Sequence, residues 1–399
     1  MKLNNTGYTA NIYFNDTLLQ VDPQDYSFSI IDNIDKFYCT AVFTFHDVTG
    51  FMQEFLNTTI GSRVSISFGD NETLNTTHYR VLYDYLDSPQ TVGHLNGSVD
   101  MFLIHEYFFE QKVLSTAYTG RISKIVKDLV GKYDFSSVDV NDTGNENTWY
   151  QTNITDAKFI QERLLPFAYS NNASDTPFYS YITTDNVYHL RNGKAIMDST
   201  PVSTIKNIKL SGQNDSGNDE RNYTSEIKRW RTNYKNIFTE QVNKVYSLNI
   251  DDGTLIEEVD NLVDHPPQAN LKTPLIIGNK NNVTSIQYTS NFIPGTETGD
   301  TENEKGYINN RHRSEQFIDN LLILQMMNPK YHAGVTVQFN TYNIDKTKTE
   351  LAKNFSGKYI VMECEHIWDG ESGNVYSKLL LGRKYINIPN SYLLKDGLL

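Results

Sequence analysis

Cysteine is almost missing from this chain: there are two in 399 residues, Cys39 and Cys364. A disulfide-stapled scaffold is excluded on that count. Both lie in strand-like stretches, so buried free thiols are expected. No apolar run approaches the roughly 20 residues of a membrane-spanning helix, and no membrane insertion is expected. The start, Met1-Lys2-Leu3-Asn4-Asn5, has no apolar signal core. The chain is therefore expected to be made and kept in the cytosol unless an assembly carries it out. Triplets such as Asn153-Ile154-Thr155 carry no glycosylation meaning without a secretory route.

Positive charge is also short, with 35 Lys and Arg against 48 Asp and Glu and a net charge of −13. A protein that grips DNA or RNA needs a basic footprint, which this balance denies. It leaves room for a passage that nucleic acid crosses without adhering. Aliphatic residues are lean too: hydrophobic residues make up 38%, and mean hydropathy is −0.50. Catalytic signatures are lacking. No Gly-x-Ser-x-Gly elbow, His-Glu-x-x-His pair, phosphate loop or dinucleotide fingerprint occurs. No enzyme activity, cofactor, metal or catalytic residue is expected.

The weak candidates dissolve on inspection. Glu363-Cys364-Glu365-His366 has ligand chemistry, but in a strand Glu363 and Glu365 point one way and Cys364 and His366 the other. The run Asn214 to Glu220 is oxygen-rich without the spacing of a calcium loop. Asp251-Asp252-Gly253 reads as a turn between two strands. Glu257, Glu258 and Asp260 could be imagined as a glycosidase pair, but nothing places a sugar cleft there. Arg311-His312-Arg313 would open a helix, where positive charge opposes the dipole, and so suggests an exposed patch or an acidic neighbour.

What the chain does have is aromatic residues, 26 Tyr and 20 Phe, and strand after strand of alternating polarity. Tyr8–Phe14 and Leu18–Val21 read as a hairpin around Asn15-Asp16. Asp25–Ile34 and Tyr38–Phe45 alternate, Val48–Leu56 reads as a short helix, and strands around Val64, Tyr79 and Val99 follow. From about Ser115 the character changes. An amphipathic helix spans Gly120–Gly131, a second begins at an N-cap Thr155, and a hairpin joins Pro177–Ile182 to Asn186–Leu190. Ser225–Phe238, Val242–Ile250, Leu275–Ile277 and Val283–Tyr288 read as strands, and Pro294–Gly306 as an acidic loop. Ser314–Leu324 carries Phe317, Leu321 and Leu324 at helical spacing, and Asn328-Pro329 stops it. Gly334–Phe339, Gly357–His366 and Val375–Gly382 close the chain as strands.

The last set matches an earlier one. Ile60–Phe68 has the apolar spacing of Ala333–Phe339, Tyr79–Tyr85 is the counterpart of the Tyr359 strand, and Val99–His105 of the Val375 strand. The expected fold class is a β-rich α+β protein with two similar antiparallel β-barrels, a small α+β insert and a middle segment. The expected divisions are a first barrel at 1–115, the insert at 116–193, a middle β segment at 194–305 that partly completes the barrels, a second barrel with its helix at 306–390, and a tail at 391–399.

A β-barrel, a Trp149-Tyr150-Gln151 stretch, a helix of the type Thr155-Asp156-Ala157-Lys158-Phe159-Ile160 and an aromatic hairpin, then Gly334-Val335-Thr336-Val337 and Gly357–His366 with a Tyr-bearing return strand: this order resembles the central hub proteins of contractile phage tails. The T-even baseplate hub is the nearest likeness, with the hub portion of type VI secretion spike proteins behind it. The resemblance runs over roughly 8–388 and is weakest over 194–300. It implies a virion protein assembled in the host cytoplasm. It also implies a homotrimer whose six tube-like barrels form a pseudo-sixfold ring between a central spike protein and the hexameric tail tube or its initiator. A tape measure protein and baseplate wedge would lie nearby, and DNA would pass only in transit. The net charge suggests an acidic bore. The alternatives are a carbohydrate-binding or carbohydrate-cleaving β-protein of a phage tail or cell surface, and the tail-tip hub of a non-contractile phage.

Overall fold

The computed structural model describes residues 7–20, 22–47, 60–70, 73–87, 97–144, 146–170, 177–207, 225–232, 242–248, 255–261, 283–290, 319–345, 348–351, 356–370 and 372–383. Strand is the dominant element. The first group is β1 (Thr9–Phe14), β2 (Thr17–Leu18), β3 (Tyr26–Asn33), β4 (Thr40–Asp47), β5 (Arg63–Gly69), β6 (Leu74–Asp87) and β7 (Gly97–His105). Asn15 and Asp16 close the β1–β2 hairpin with φ of 46° and 65°. Short polar side chains tolerate that left-handed pair, whose twist suits a two-residue hairpin.

A lobe follows: α1 (Tyr107–Glu110), β8 (Val113–Arg121), α2 (Ile122–Val130), β9 (Ser137–Val140), β10 (Glu146–Thr155), α3 (Asp156–Phe159), β11 (Phe178–Ile182), β12 (Val187–Asn192) and α4 (Gly193–Asp198). Both expected helices and the hairpin are present. Helix α2 buries Ile122, Ile125, Val126 and Leu129, one face of a 3.6-residue period. Thr155 accepts from the Lys158 amide at 3.4 Å and caps α3. Beyond it the chain winds through a π turn and a short 3-10 turn to Phe167. The β8–β10 pairing and the strand β9, parallel to β12, were not anticipated.

The remaining strands are β13 (Thr204–Asn207), β14 (Ser225–Thr232), β15 (Val242–Leu248), β16 (Leu255–Asn261), β17 (Val283–Ser290), β18 (Asp319–Met326), β19 (Thr336–Asp345), β20 (Lys348–Leu351), β21 (Gly357–Asp369) and β22 (Asn374–Arg383). β15, β16 and β17 form a sheet of their own; Leu248 faces Leu255 as a turn at Asp251-Gly253 requires, though the turn itself lies outside the described residues. The helix expected at Val48–Leu56, the strand at Leu275–Ile277, the loops at 214–220 and 294–306, and Arg311-His312-Arg313 also lie outside them.

One expectation is corrected. Residues 319–324 of the expected Ser314–Leu324 helix lie in strand β18. Leu321-Leu322-Ile323-Leu324 is an unbroken apolar run that satisfies a period of 3.6 as well as 2. The strand wins because β14 and β22 pair with both of its edges, while Leu321 and Ile323 point together into the core with no exposure.

The main sheet runs β14-β18-β22-β21-β3-β4-β7-β6-β5-β1-β2, with β13, β19 and β20 branching from it. Among the described residues it is an open path, and no barrel closes. Its two stretches repeat one another residue by residue. Val64 faces Tyr79 as Val337 faces Tyr359, and Val81 faces Leu103 as Val361 faces Leu381. Each long strand then inserts one unpaired residue, Leu82 in β6 and Met362 in β21. Gly61 and Gly334 hold the same φ of 81°. Their amides donate to Val81 and Val361 carbonyls at 2.8 Å in both cases. The order β3-β4-β7-β6-β5 therefore has its counterpart in β14-β18-β22-β21-β19.

The two glycines differ in their surroundings. A Cβ on Gly61 would meet nothing within 4 Å, whereas one on Gly334 would lie 1.8 Å from the hydroxyl of Tyr181, a ring with no exposure. Gly61→Ala is expected to cost only the left-handed backbone term, about 1 kcal/mol. Gly334→Ala adds overpacking in a filled core, for a loss of roughly 2–4 kcal/mol. Chemical denaturation of the two variants beside wild type measures the difference, and equal losses would refute this account.

Candidate functional site

Strand β21 is long enough to serve two neighbours along one edge. Gly357–Ile360 pair with β19, and after the bulge at Met362 the run Glu363–Asp369 pairs with β3. The second pairing is the seam where the two repeated stretches meet. On its buried face Trp368 stacks on Phe28 at 5.9 Å and on Tyr26 at 6.4 Å. On the other face Glu365 accepts from Ser29 Oγ at 2.6 Å and Lys378 Nζ at 2.7 Å, and Glu363 from Asn33 Nδ2 at 2.7 Å. The alternation expected of Glu363-Cys364-Glu365-His366 is thus present. The acids lie on one face, while Cys364 and His366 are fully buried on the other. Both cysteines are free and buried, and burial pushes both thiols well up.

A polar knot holds the seam. Asp32 of β3 has no exposure, yet its carboxylate accepts from the Thr184 amide at 3.0 Å and the Ala333 amide at 2.8 Å. Thr184 is the tip of the β11–β12 hairpin, and Ala333 lies between β18 and β19. One carboxylate therefore ties the first stretch, the lobe and the second stretch together. Thr77 of β6 adds a hydroxyl bond to the Thr184 carbonyl. His332 stands between two acids, its Nδ1 3.7 Å from Asp32 and its Nε2 3.6 Å from Asp185. Burial alone would lower this imidazole. The carboxylates of Asp185 and Asp32 outweigh it and hold the pKa above the ordinary value. Tyr331, next along, accepts from His366 Nε2 at 2.9 Å while Ser377 Oγ lies 2.9 Å from the other ring nitrogen. Burial presses His366, and also His105 beneath the lobe, down to about 4.

Sequence reading singled out neither Asp32 nor His332, and it placed Thr184-Asp185 only as the turn of the hairpin, where the structure has it. One signal was available. Asp32 is in phase with Tyr26, Phe28, Ile30 and Ile34, and so stands on the buried side of its strand. An acid at such a position requires partners, and the knot supplies them.

Two regions that correspond to the seam lie apart. Residues 83–87 of β6 match Glu363–Ile367 of β21, but among the described residues their second edge has no strand beside it. β14, the counterpart of β3, is likewise the terminal strand of the path. Exposure follows suit: Met362 is 9% exposed, its counterpart Leu82 38%, and Tyr83 49%.

The architecture has precedents. The tail protein from Neisseria meningitidis MC58 superposes with a TM-score of 0.57, covering 94% of this chain and 97% of that one at 8% identity. The 43 kDa tail protein of prophage MuSo2 from Shewanella oneidensis gives 0.55, with 94% and 98% covered, also at 8% identity. The chain shares the fold of these two tail proteins. The E. coli c3393 protein, a component of the type VI secretion system, aligns at 0.45 and 10% identity over 95% of this chain and 80% of that one. No protein-family model matches the sequence, and no curated protein does.

The histidines give opposite pH signatures. His332 has a raised pKa, so its contribution is full below the ordinary imidazole value of about 6.5 and is lost as pH rises through the raised value. The stability advantage of wild type over His332→Gln should shrink as pH climbs. His366 is depressed to about 4, so unfolded chains take up protons first and the penalty of keeping it neutral grows as pH falls from about 6.5 toward 4. Urea unfolding of wild type and His366→Gln from about pH 6.5 down to about 4, and of wild type and His332→Gln from about pH 6.5 upward, tests both signs.

Proposed function

We propose that this chain is the structural hub of a phage-type tail. Three copies would form a pseudo-sixfold ring that joins a central spike protein to the hexameric tail tube or its initiator. The observation that carries this reading is the repeat. One polypeptide holds two stretches with the same strand order, the same one-residue bulge and the same left-handed glycine. A threefold spike and a sixfold tube can meet only through a part that offers six similar seats from three chains, because heterologous contacts repeated about an axis must close. The superposition with two tail proteins over nearly their full lengths supports a tail role at the level of fold.

In this reading each repeated stretch curls into a tube-like barrel, one within 1–115 and one within 306–390. The lobe at 116–193 and the middle segment at 194–305 decorate and complete them. The protein acts as a virion component assembled in the host cytoplasm, with a tape measure protein and baseplate wedge beside it, and it catalyses nothing. The bore of the ring is acidic, in keeping with the net charge of −13, and repels DNA in transit.

Light scattering on the purified chain is expected to return three times the 45.8 kDa protomer mass. Imaging of the particle should place the ring at the spike end of the tube. A monomer that instead binds glycan would overturn the proposal.

A further inference from the structure

The corner around Gly334 is covered from within the chain, whereas its twin around Gly61 stands open among the described residues. We infer that the Gly61 corner is a seat for the threefold spike protein, which plants a hairpin tip with an aromatic side chain there, once per copy. This inference rests on the proposed ring and names the surface by which the ring holds its spike.

The two corners match residue by residue. Gly334 corresponds to Gly61 and Val361 to Val81, so Ala333 corresponds to Ile60 and Ile360 to Arg80. The bulge residues Met362 and Leu82 correspond as well. In the second stretch, Ala333, Ile360 and Met362 pack with Tyr179, Tyr181 and Ile196 of the lobe. The Tyr181 ring fills the space beside the Gly334 α-carbon, and Arg191 Nη1 donates to the Gly334 carbonyl at 3.4 Å. In the first stretch no such hairpin stands over the corner among the described residues. Ile60 is 66% exposed where Ala333 is 2%, and Leu82 is exposed where Met362 is buried. The space beside Gly61 holds nothing within 4 Å. The Gly61 carbonyl accepts from Arg80 Nη1 at 3.0 Å.

The internal contact sets the chemistry of the guest. At the Gly61 corner Arg80 already supplies the guanidinium that the lobe supplies through Arg191 at the other. The guest therefore need bring only apolar cover for Ile60 and Leu82 and a ring to lie beside Gly61, as Tyr181 lies beside Gly334. An aromatic hairpin tip does this once already, and large rigid rings are the side chains that anchor protein contacts. Symmetry names the guest. Three copies would present six corners on one side of the ring, three plugged by their own lobes and three open. A sixfold tube needs six like seats and finds three, whereas a threefold spike needs three. The lobe of a neighbouring copy cannot serve, because its hairpin tip is held at Thr184 in the knot of its own chain.

Binding of the purified chain to the spike protein of the same particle tests the seat, with trimer mass followed by light scattering. Ile60→Asp and Leu82→Asp should each weaken spike binding by about tenfold or more, since each sets a charge into an apolar contact. Both variants should fold, because both side chains already face solvent. Trimer mass and binding to the tail tube protein should stay at wild-type values. Val113→Asp, at another exposed apolar residue outside the seat, should bind spike as wild type does. Leu82→Cys should react with maleimide in the trimer and become protected when spike binds. Native Cys39 and Cys364 are buried and leave that assay clean. A trimer that binds spike regardless of both aspartates, or that loses tube binding instead, would overturn the seat and leave the ring standing. A chain that stays monomeric, or a trimer that binds no spike, would overturn both.

Discussion

Everything in this molecule depends on one strand being longer than its neighbours need. β21 gives its first residues to β19 and its last to β3 along the same edge, while its other edge stays with β22. The extra residue at Met362 divides the two duties. A bulge bends and twists a strand locally, which lets one edge be handed from one partner to another without breaking the second ladder. The connection between the two repeated stretches is thus main-chain hydrogen bonding, with a register set by the same alternation that sorts the core from the surface.

Main-chain bonds alone do not say which strand should arrive at that edge. The aromatic contacts of Trp368 supply apolar area, and the Asp32 carboxylate supplies selectivity. A buried carboxylate is tolerated only when its lone pairs are met, and Asp32 finds its donors in Thr184 and Ala333, which come from distant parts of the chain. The segment after β18 is fastened in several more places. Tyr8 bonds to Met327, and Asn75 donates to the Pro329 carbonyl at 2.9 Å. The first stretch thereby grips the chain just before it enters β19.

Much of the sheet was legible in the sequence because burial on one face imposes a period of two. The alternation of Tyr26, Phe28 and Ile30, and the Val-Tyr-Ser-Lys-Leu run of β22, could be read directly as strands. The likeness of the Val64 and Val337 segments was legible as spacing. The reading failed where the apolar run is continuous, as at Leu321–Leu324, since apolar residues on both faces erase the period although only Leu321 and Ile323 are fully buried. It was silent on β8 and β9, which are largely exposed and bear little hydrophobic signal. Bulges leave no local mark at all: Leu82 and Met362 look like any other apolar residue in a strand. The knot was nearly invisible, because its members come from positions 32, 184 and 332 and only the phase of Asp32 betrays it.

The tip of the β11–β12 hairpin of the lobe is wedged at the internal seam. A wheel built from three such chains would have joints of two grades in alternation. Three would be locked by a covalent thread and a plug, and three would hold by contact between separate chains alone. Strain arriving from a spike would then travel first to the joints between chains, so the wheel would open along three lines and not six.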